Sequence, residues 1–243
     1  MIVFDPNKQA LFNPPSLFID NHYKKALMIF DDEVWGNYVI NKNLKALPVR
    51  NKDGKVFNTF RVYNYNREDI LLVYPSTGAS ASSMELELLI ASGIEKIVVF
   101  DTCGAMDKTI VKNSIIVPKS AIREEGVSYH YLPPSDEVIH NQNSIKAIEN
   151  IFVKNGVDYL LGKVWTTDAV YRETAKKLKI MKERGCIAVD MEMASLLAVA
   201  EFRGVDLAGF LITDDNIDGK SEKELKRISA KLFQLALDIV LSL

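Results

Sequence analysis

Two acids stand where acids are costly. Glu192 lies between Met191 and Met193, at the head of a stretch running Ala194, Leu196, Leu197, Ala198, Val199, Ala200 and Phe202 that leaves almost no polar face. Asp214 follows the apolar run Val205 to Thr213, in Thr213-Asp214-Asp215-Asn216. A carboxylate among apolar residues without a partner is expensive, so each invites a chemical reading. An ionised carboxylate accepts strongly from paired hydroxyls. An acid at the mouth of an apolar strand can have its pKa raised by burial and donate a proton. Structural readings stay open beside these: Asp190 caps a helix whose positive end steadies Glu192, and Asp214 opens an Asx-turn.

These acids must be positioned by a strand, a helix and a second strand. Cys186 to Val189 is long enough for a buried strand, Asp190 to Arg203 reads as a helix, and Val205 to Thr213 is a second buried strand. Repeated βα units argue for a sheet covered by helices, and ligands bind such sheets at the carboxyl ends of strands. Further strands are expected at Ala26 to Phe30, Thr59 to Tyr65, Ile70 to Tyr74, Lys96 to Phe100, Ser114 to Pro118 and Tyr159 to Trp165. Helices are expected from Asp31 to about Asn41 and over Met84 to Ser92, Asn143 to Asn155, Ala175 to Arg184 and Ser221 to Leu243. The last carries Leu225, Ile228, Leu232, Leu235 and Ile239 at helical spacing. Pro75 to Ser83 is a small-residue loop between strand and helix, where backbone N–H groups can approach a ligand; close packing explains it equally well.

Together these motifs resemble the nucleoside phosphorylase family, which includes purine nucleoside phosphorylases, uridine phosphorylases and hydrolytic nucleosidases. The resemblance rests on Val189-Asp190-Met191-Glu192 before a small-residue helix, on the strand ending Thr213-Asp214, on Asp101-Thr102-Cys103-Gly104-Ala105, on Ala121 to Gly126, and on Thr166 to Glu173. It runs from about Ala26 to the C-terminus. It implies an α/β three-layer sandwich with a mixed central sheet flanked by helices, as one domain over residues 1–243. It implies that Glu192 holds the ribose hydroxyls, that Met191 packs on the sugar, and that Asp190 belongs to the same substrate-binding motif. Thr102 would contact the sugar and the attacking phosphate, Tyr171 would border the base, and Asp214 would protonate or hydrogen-bond it. An acid at that place tilts the base towards purine.

The chain also departs from the family. The phosphorylases carry a Gly-Asp-Pro-x-Arg loop after the first strand, where this chain has Phe30-Asp31-Asp32-Glu33-Val34; Val99 replaces a strand arginine, and Asp101 replaces a glycine where its charge would repel phosphate. Arg50 resembles an arginine donated across a subunit interface, and Arg123 and Arg172 are substitutes for the lost cations. The leading expectation is phosphorolysis of a purine nucleoside to free base and ribose 1-phosphate. Phosphate is the co-substrate, with no cofactor and no metal. A water-using nucleosidase, a uridine phosphorylase and a non-catalytic nucleoside-binding or storage protein remain alternatives. The resemblance also implies a homo-oligomer, either a dimer or a hexamer of dimers.

Composition bounds the rest. With 243 residues, 48% of them hydrophobic, the chain can bury one sizeable core. A net charge of −2 without a basic cluster argues against nucleic-acid binding. No run approaches the roughly 18 apolar residues of a spanning helix, and the N-terminus lacks a signal-peptide pattern. The two cysteines, Cys103 and Cys186, lie in or beside apolar strands and fit buried thiols of a cytoplasmic protein.

Overall fold

The computed structural model describes residues 3–17, 23–39, 44, 46–47, 61–65, 69–219 and 224–243. The strands there are β1 Lys25–Ile29, β2 Ala46–Leu47, β3 Arg61–Tyr65, β4 Ile70–Tyr74, β5 Lys96–Ala105, β6 Ile115–Glu124, β7 Glu137–Ile139, β8 Leu160–Thr167, β9 Cys186–Asp190 and β10 Asp206–Asn216. The helices are α1 Asp32–Val34, α2 Ala79–Ala91, α3 Ser128–Tyr131, α4 Gln142–Lys154, α5 Ala175–Glu183, α6 Met193–Arg203 and α7 Ser229–Ser242.

All the strands join one mixed sheet. At its centre β5 runs parallel to β1 and β10, and its far end meets β9 antiparallel. From β9 the pairing continues through β8 and β6 back to β10, so five strands close into a ring. Strands β4, β3 and β2 extend the sheet beyond β1, and β7 adds to β6.

The two faces follow from alternation along the strands. Ala26, Met28, Ile97 and Val99 point into a core with Leu86 and Leu89 of α2 and Met193 to Ala200 of α6. Leu27, Ile29, Val98, Phe100 and Phe210 point the other way, against Ile145, Ile148 and Phe152 of α4 and Leu232 to Val240 of α7. Helices therefore cover both faces, as the sequence implies. The apolar α6 is buried over its whole first two turns.

Several bounds differ from expectation. The first helix is a single turn, α1, continued by a π-helical turn over Trp35–Val39. Helix α2 starts at Ala79, so the small-residue loop is itself its first turn. The short helix α3, Ser128–Tyr131, lies where no element was expected. Helix α6 begins at Met193 rather than Asp190, because Asp190 ends β9. The C-terminal helix begins at Ser229, and Leu225 is half exposed ahead of it.

Phe210 stacks on Phe100 at 4.9 Å between ring centroids and meets Phe152 edge-on at 5.4 Å. It is fully buried. Phe210→Ala should cost about 3–5 kcal/mol, as large-to-small changes in packed cores do. Urea unfolding should show a lower midpoint at unchanged slope; a loss under about 1 kcal/mol would mean that this layer is not packed as described.

Candidate active site

A cleft of about 250 Å³ opens at the carboxyl ends of β5, β9 and β10. Its walls include Asp101, Thr102, Cys103 and Gly104 from β5, Asp190, Met191 and Glu192 from the β9–α6 junction, and Asp214 and Asp215 from β10. Phe30 after β1 and Thr77 after β4 complete it, with Val170 and Glu173 from the loop after β8.

The β9–α6 junction is built around Asp190. One carboxylate oxygen accepts from Thr166 Oγ1 at 2.8 Å; the other accepts from the backbone N–H groups of Glu192 at 2.9 Å and Met193 at 2.5 Å. Thr166 in turn accepts from Ala194 N at 3.0 Å. Asp190 is thus the acid that caps α6, and its oxygens are taken by the chain rather than left for substrate. Burial, then the charge of Glu192, pushes its pKa up to about 7, against the pull of these donors.

Glu192 is the N-cap residue of α6, not a member of its first turn, and its side chain makes no cap bond. It turns into the cleft and accepts from Gly78 N at 2.6 Å and Met191 N at 3.1 Å. Gly78 sits at φ 100°, a backbone region that side chains rarely adopt. The loop that carries it is held by buried Glu85, which accepts from Ser76 N at 2.9 Å and Ser76 Oγ at 2.7 Å. Burial raises the Glu192 pKa, and the Gly78 amide opposes the rise. Only 3% of Glu192 is exposed, so this carboxylate faces whatever fills the cleft.

Asp101 is the neighbour that sequence reasoning noticed only as a departure. Its Oδ1 accepts from Thr102 N at 2.6 Å, and its Oδ2 is buried with no partner. One oxygen each of Asp101, Asp190 and Glu192 lie within 4.8 Å of one another. Burial first, then Glu192, drives the Asp101 pKa well above the ordinary carboxylate range. The trio is compact enough to hold a cation, but the donors already on Asp190 and Glu192 and the crowding at Asp101 suit a shared proton better.

At the mouth, the pairing of β10 with β5 skips a register between Thr213 and Asp215, so Asp214 bulges outward. The burial expected of Asp214 is absent: its side chain is 58% exposed, 3.4 Å from Lys112 and 3.5 Å from Arg227. The neighbouring Asp215 has a raised pKa, from desolvation first and the Asp214 charge second. Its carboxylate lies over Gly104, where an added Cβ would come within 3.0 Å of Asp215 Oδ1. Arg227 was missed because its stretch reads as helix. It pairs with Asp31, with Glu33 at 2.8 Å and with Asp214, tying the end of β1 to the end of β10.

Other expected residues stand apart. Tyr171 is 97% exposed in a 3-10 turn, Val170–Arg172, and the turn offers Val170 to the cleft instead. Arg172 is exposed and not part of the cleft wall. Arg123 is buried, bonded to Ser128 Oγ, Ser135 Oγ and the carbonyls of Leu132 and Pro133, and stacked on Tyr129, so it anchors a loop and cannot hold phosphate. Arg50 lies outside the described residues. Thr102, Met191, Glu192 and Asp214 do converge on one cleft. Both cysteines are buried free thiols, and among the described residues no helix is long and apolar enough to cross a membrane.

Fold and site define an α/β protein with an acidic cleft at its strand ends. A model of the phosphorylase superfamily matches residues 34–241. Over 223 residues the chain is 28% identical to a DeoD-type purine nucleoside phosphorylase of Buchnera aphidicola subsp. Acyrthosiphon pisum, covering 90% of this chain and 95% of that relative. Its fold is similar to that of an AMP nucleosidase from Bacteroides thetaiotaomicron, with TM-score 0.71 and 20% identity over 90% of this chain and 88% of that one. It is equally similar to a purine nucleoside phosphorylase from Toxoplasma gondii in complex with immucillin-H, with TM-score 0.71 and 20% identity over 97% and 96%. The chain belongs to the phosphorylase superfamily and is an enzyme of its nucleoside phosphorylase and nucleosidase group.

The acid cluster makes stability fall with pH. Asp190 near 7, and Asp101 above its usual range, keep protons that an unfolded chain has already released. Their native state binds more protons, so this contribution is lost as pH rises through the folded values. Buried His140, with its pKa lowered by desolvation, acts with the opposite sign, but only below its unfolded value of about 6.5. Unfolding free energy should therefore drop between the unfolded carboxylate value of about pH 4 and the folded Asp190 value of about 7, less steeply where His140 opposes it. A urea midpoint that rises over that window would contradict the protonated cluster.

Proposed function

We propose that the cleft cleaves the N-glycosidic bond of a purine nucleoside, with water as the acceptor. The observation that carries the choice of acceptor is Asp101, a buried carboxyl beside Thr102 and Glu192 in the wall where an anionic nucleophile would have to sit. Among the described residues, those lining the cleft include no lysine or arginine. A dianion needs cations and donors; a neutral water does not.

The acidic floor suits the reaction. Positive charge grows on the ribose as the bond to the base breaks, and fixed carboxylates near it stabilise that charge in a dry site. Glu192 accepts from the ribose hydroxyls, and Met191 packs on the sugar. The oxygen of water bonds to C1′ while the C1′–N pair leaves with the base. The proton lost by water passes to a carboxylate of the floor, and the base gains one at the mouth, from Asp214 or through its neighbour Asp215. These two acids support a purine, whose leaving is helped by protonation.

Phosphorolysis is the second reading. It is favoured by the likeness to the DeoD-type phosphorylase and by the Thr102 hydroxyl in the wall. Base release from a nucleoside panel, run with and without phosphate, separates the two. Hydrolysis predicts equal rates in both; release only with phosphate overturns it. Glu192→Ala should lower kcat/KM at least about 100-fold on every accepted nucleoside while the fold survives. Near-normal turnover would remove the ribose role.

A further inference from the structure

In the reaction as written Asp101 bears on the acceptor alone and has no stated part in holding the sugar, yet its carboxyl is buried beside the ribose clamp. It is 4% exposed, its Oδ2 has no donor, and it is within hydrogen-bonding reach of Glu192. Two carboxylates that close in an apolar wall cannot both ionise without a counter-charge, and one proton between them removes the repulsion.

Among the described residues the surroundings supply no counter-charge. Cys103 on the same strand is a buried thiol. Asp190 faces the pair from β9, and Asp168 acts on Glu192 from the loop after β8. Glu173, Asp214 and Asp215 line the cleft from the 3-10 loop and β10. At the end of neighbouring β1, Asp31 is occupied by Arg227. Lys112 and Arg227 are the cations at the mouth, and both are paired with acids. Glu192 meanwhile accepts two backbone N–H groups, which favour its ionised form. Asp101 has only the Thr102 amide. The proton therefore belongs on Asp101 Oδ2, the one oxygen of the pair lacking any partner.

We propose that Asp101 is a positioning residue, whose carboxylic acid donates a hydrogen bond to Glu192 and holds that carboxylate aimed at the ribose hydroxyls. This rests on the reading of Glu192 as the ribose clamp. Protonated Asp101 fixes Glu192 as the two amides do; ionised Asp101 pushes it away. The site works in the range where the pair carries one proton, and loses its grip on the sugar when that proton goes.

The test is the pH profile of kcat/KM, measured by base release in the wild type, Asp101→Asn and Asp101→Ala. The wild type should show an alkaline limb from loss of the shared proton and an acid limb from protonation of Glu192. An asparagine keeps a donor to Glu192 and cannot ionise. Asp101→Asn should thus retain activity within about 10-fold at the plateau, lose the alkaline limb, and keep the acid limb near its wild-type position. Asp101→Ala should also lose the alkaline limb, but with a raised KM, because Glu192 loses its donor. Equal losses at every pH with both limbs intact would make Asp101 a packing residue and overturn the proposal. Activity abolished by a chelator and restored by a divalent cation would overturn it too, by putting a cation where the proton is placed.

If the asparagine variant fails to fold, the wild type still decides. Infrared difference spectra taken on the plateau of the pH profile should contain the carbonyl stretch of a buried carboxylic acid that responds to nucleoside binding and disappears along the alkaline limb; its absence would overturn the proposal. A phosphate requirement in these assays would contradict hydrolysis and leave the acid pair standing. An unaffected Glu192→Ala would remove the ribose clamp, and the acid pair with it.

Discussion

The carboxylate of Asp190 is the fixed point of the site. Three donors end on it: the Thr166 hydroxyl from β8 and two amides from the start of α6. Bonds of this charge-assisted kind are worth about 1.5–3 kcal/mol each, and they offset the cost of burying the acid. Their geometric effect is larger than their energy. They stop β9, start α6 three residues later, and leave Glu192 at the N-cap with its side chain turned into the cleft. Helix α6 is anchored by apolar contacts along its whole buried length, so the position of Glu192 is inherited from the core. Gly78, brought in by the Ser76–Glu85 contact, then seals Glu192 from the opposite side.

Charge in the cleft is segregated by depth. The floor holds Asp101, Asp190 and Glu192, all buried. The cations stand at the rim, where Arg227 and Lys112 are committed to Asp31, Glu33 and Asp214. An acidic floor attracts hydroxyl donors and a developing positive charge, and repels a phosphate dianion. The rim pairs tie the end of β1 to the end of β10, across strands that both adjoin β5. In the proposed reaction the floor governs the acceptor and the sugar, and the rim governs the base.

Much of this was legible in the sequence, for reasons that differ by element. The buried strands and α6 announce themselves as apolar runs bounded by polar joints, and Glu192 as an acid inside one. The closed ring does not, because β10 pairs with both β5 and β6, and no local pattern encodes a partner choice over such distances. Asp214 and Asp215 exchange environments at a bulge, which breaks the alternation used to read a strand. Tyr171 and Val170 exchange places in a 3-10 turn too short to have a periodicity. Arg227 sits among residues at helical spacing, yet its stretch lies ahead of the helix and is irregular, and its partner Asp31 lies 196 positions away. Arg123 resembled a family position, but the loop around α3 takes four of its donors and the side chain is buried there. The partnership of Asp101 with Glu192 needed the fold, since β5 and the β9–α6 turn meet only in three dimensions.

The claim at the centre is that an acidic floor takes a nucleoside and water, and not phosphate. Phosphorus NMR of a purine nucleoside reaction in phosphate buffer tests it directly. The account predicts free base and free ribose accumulating while inorganic phosphate remains the only phosphorus resonance. A sugar 1-phosphate resonance growing in step with the released base would contradict it.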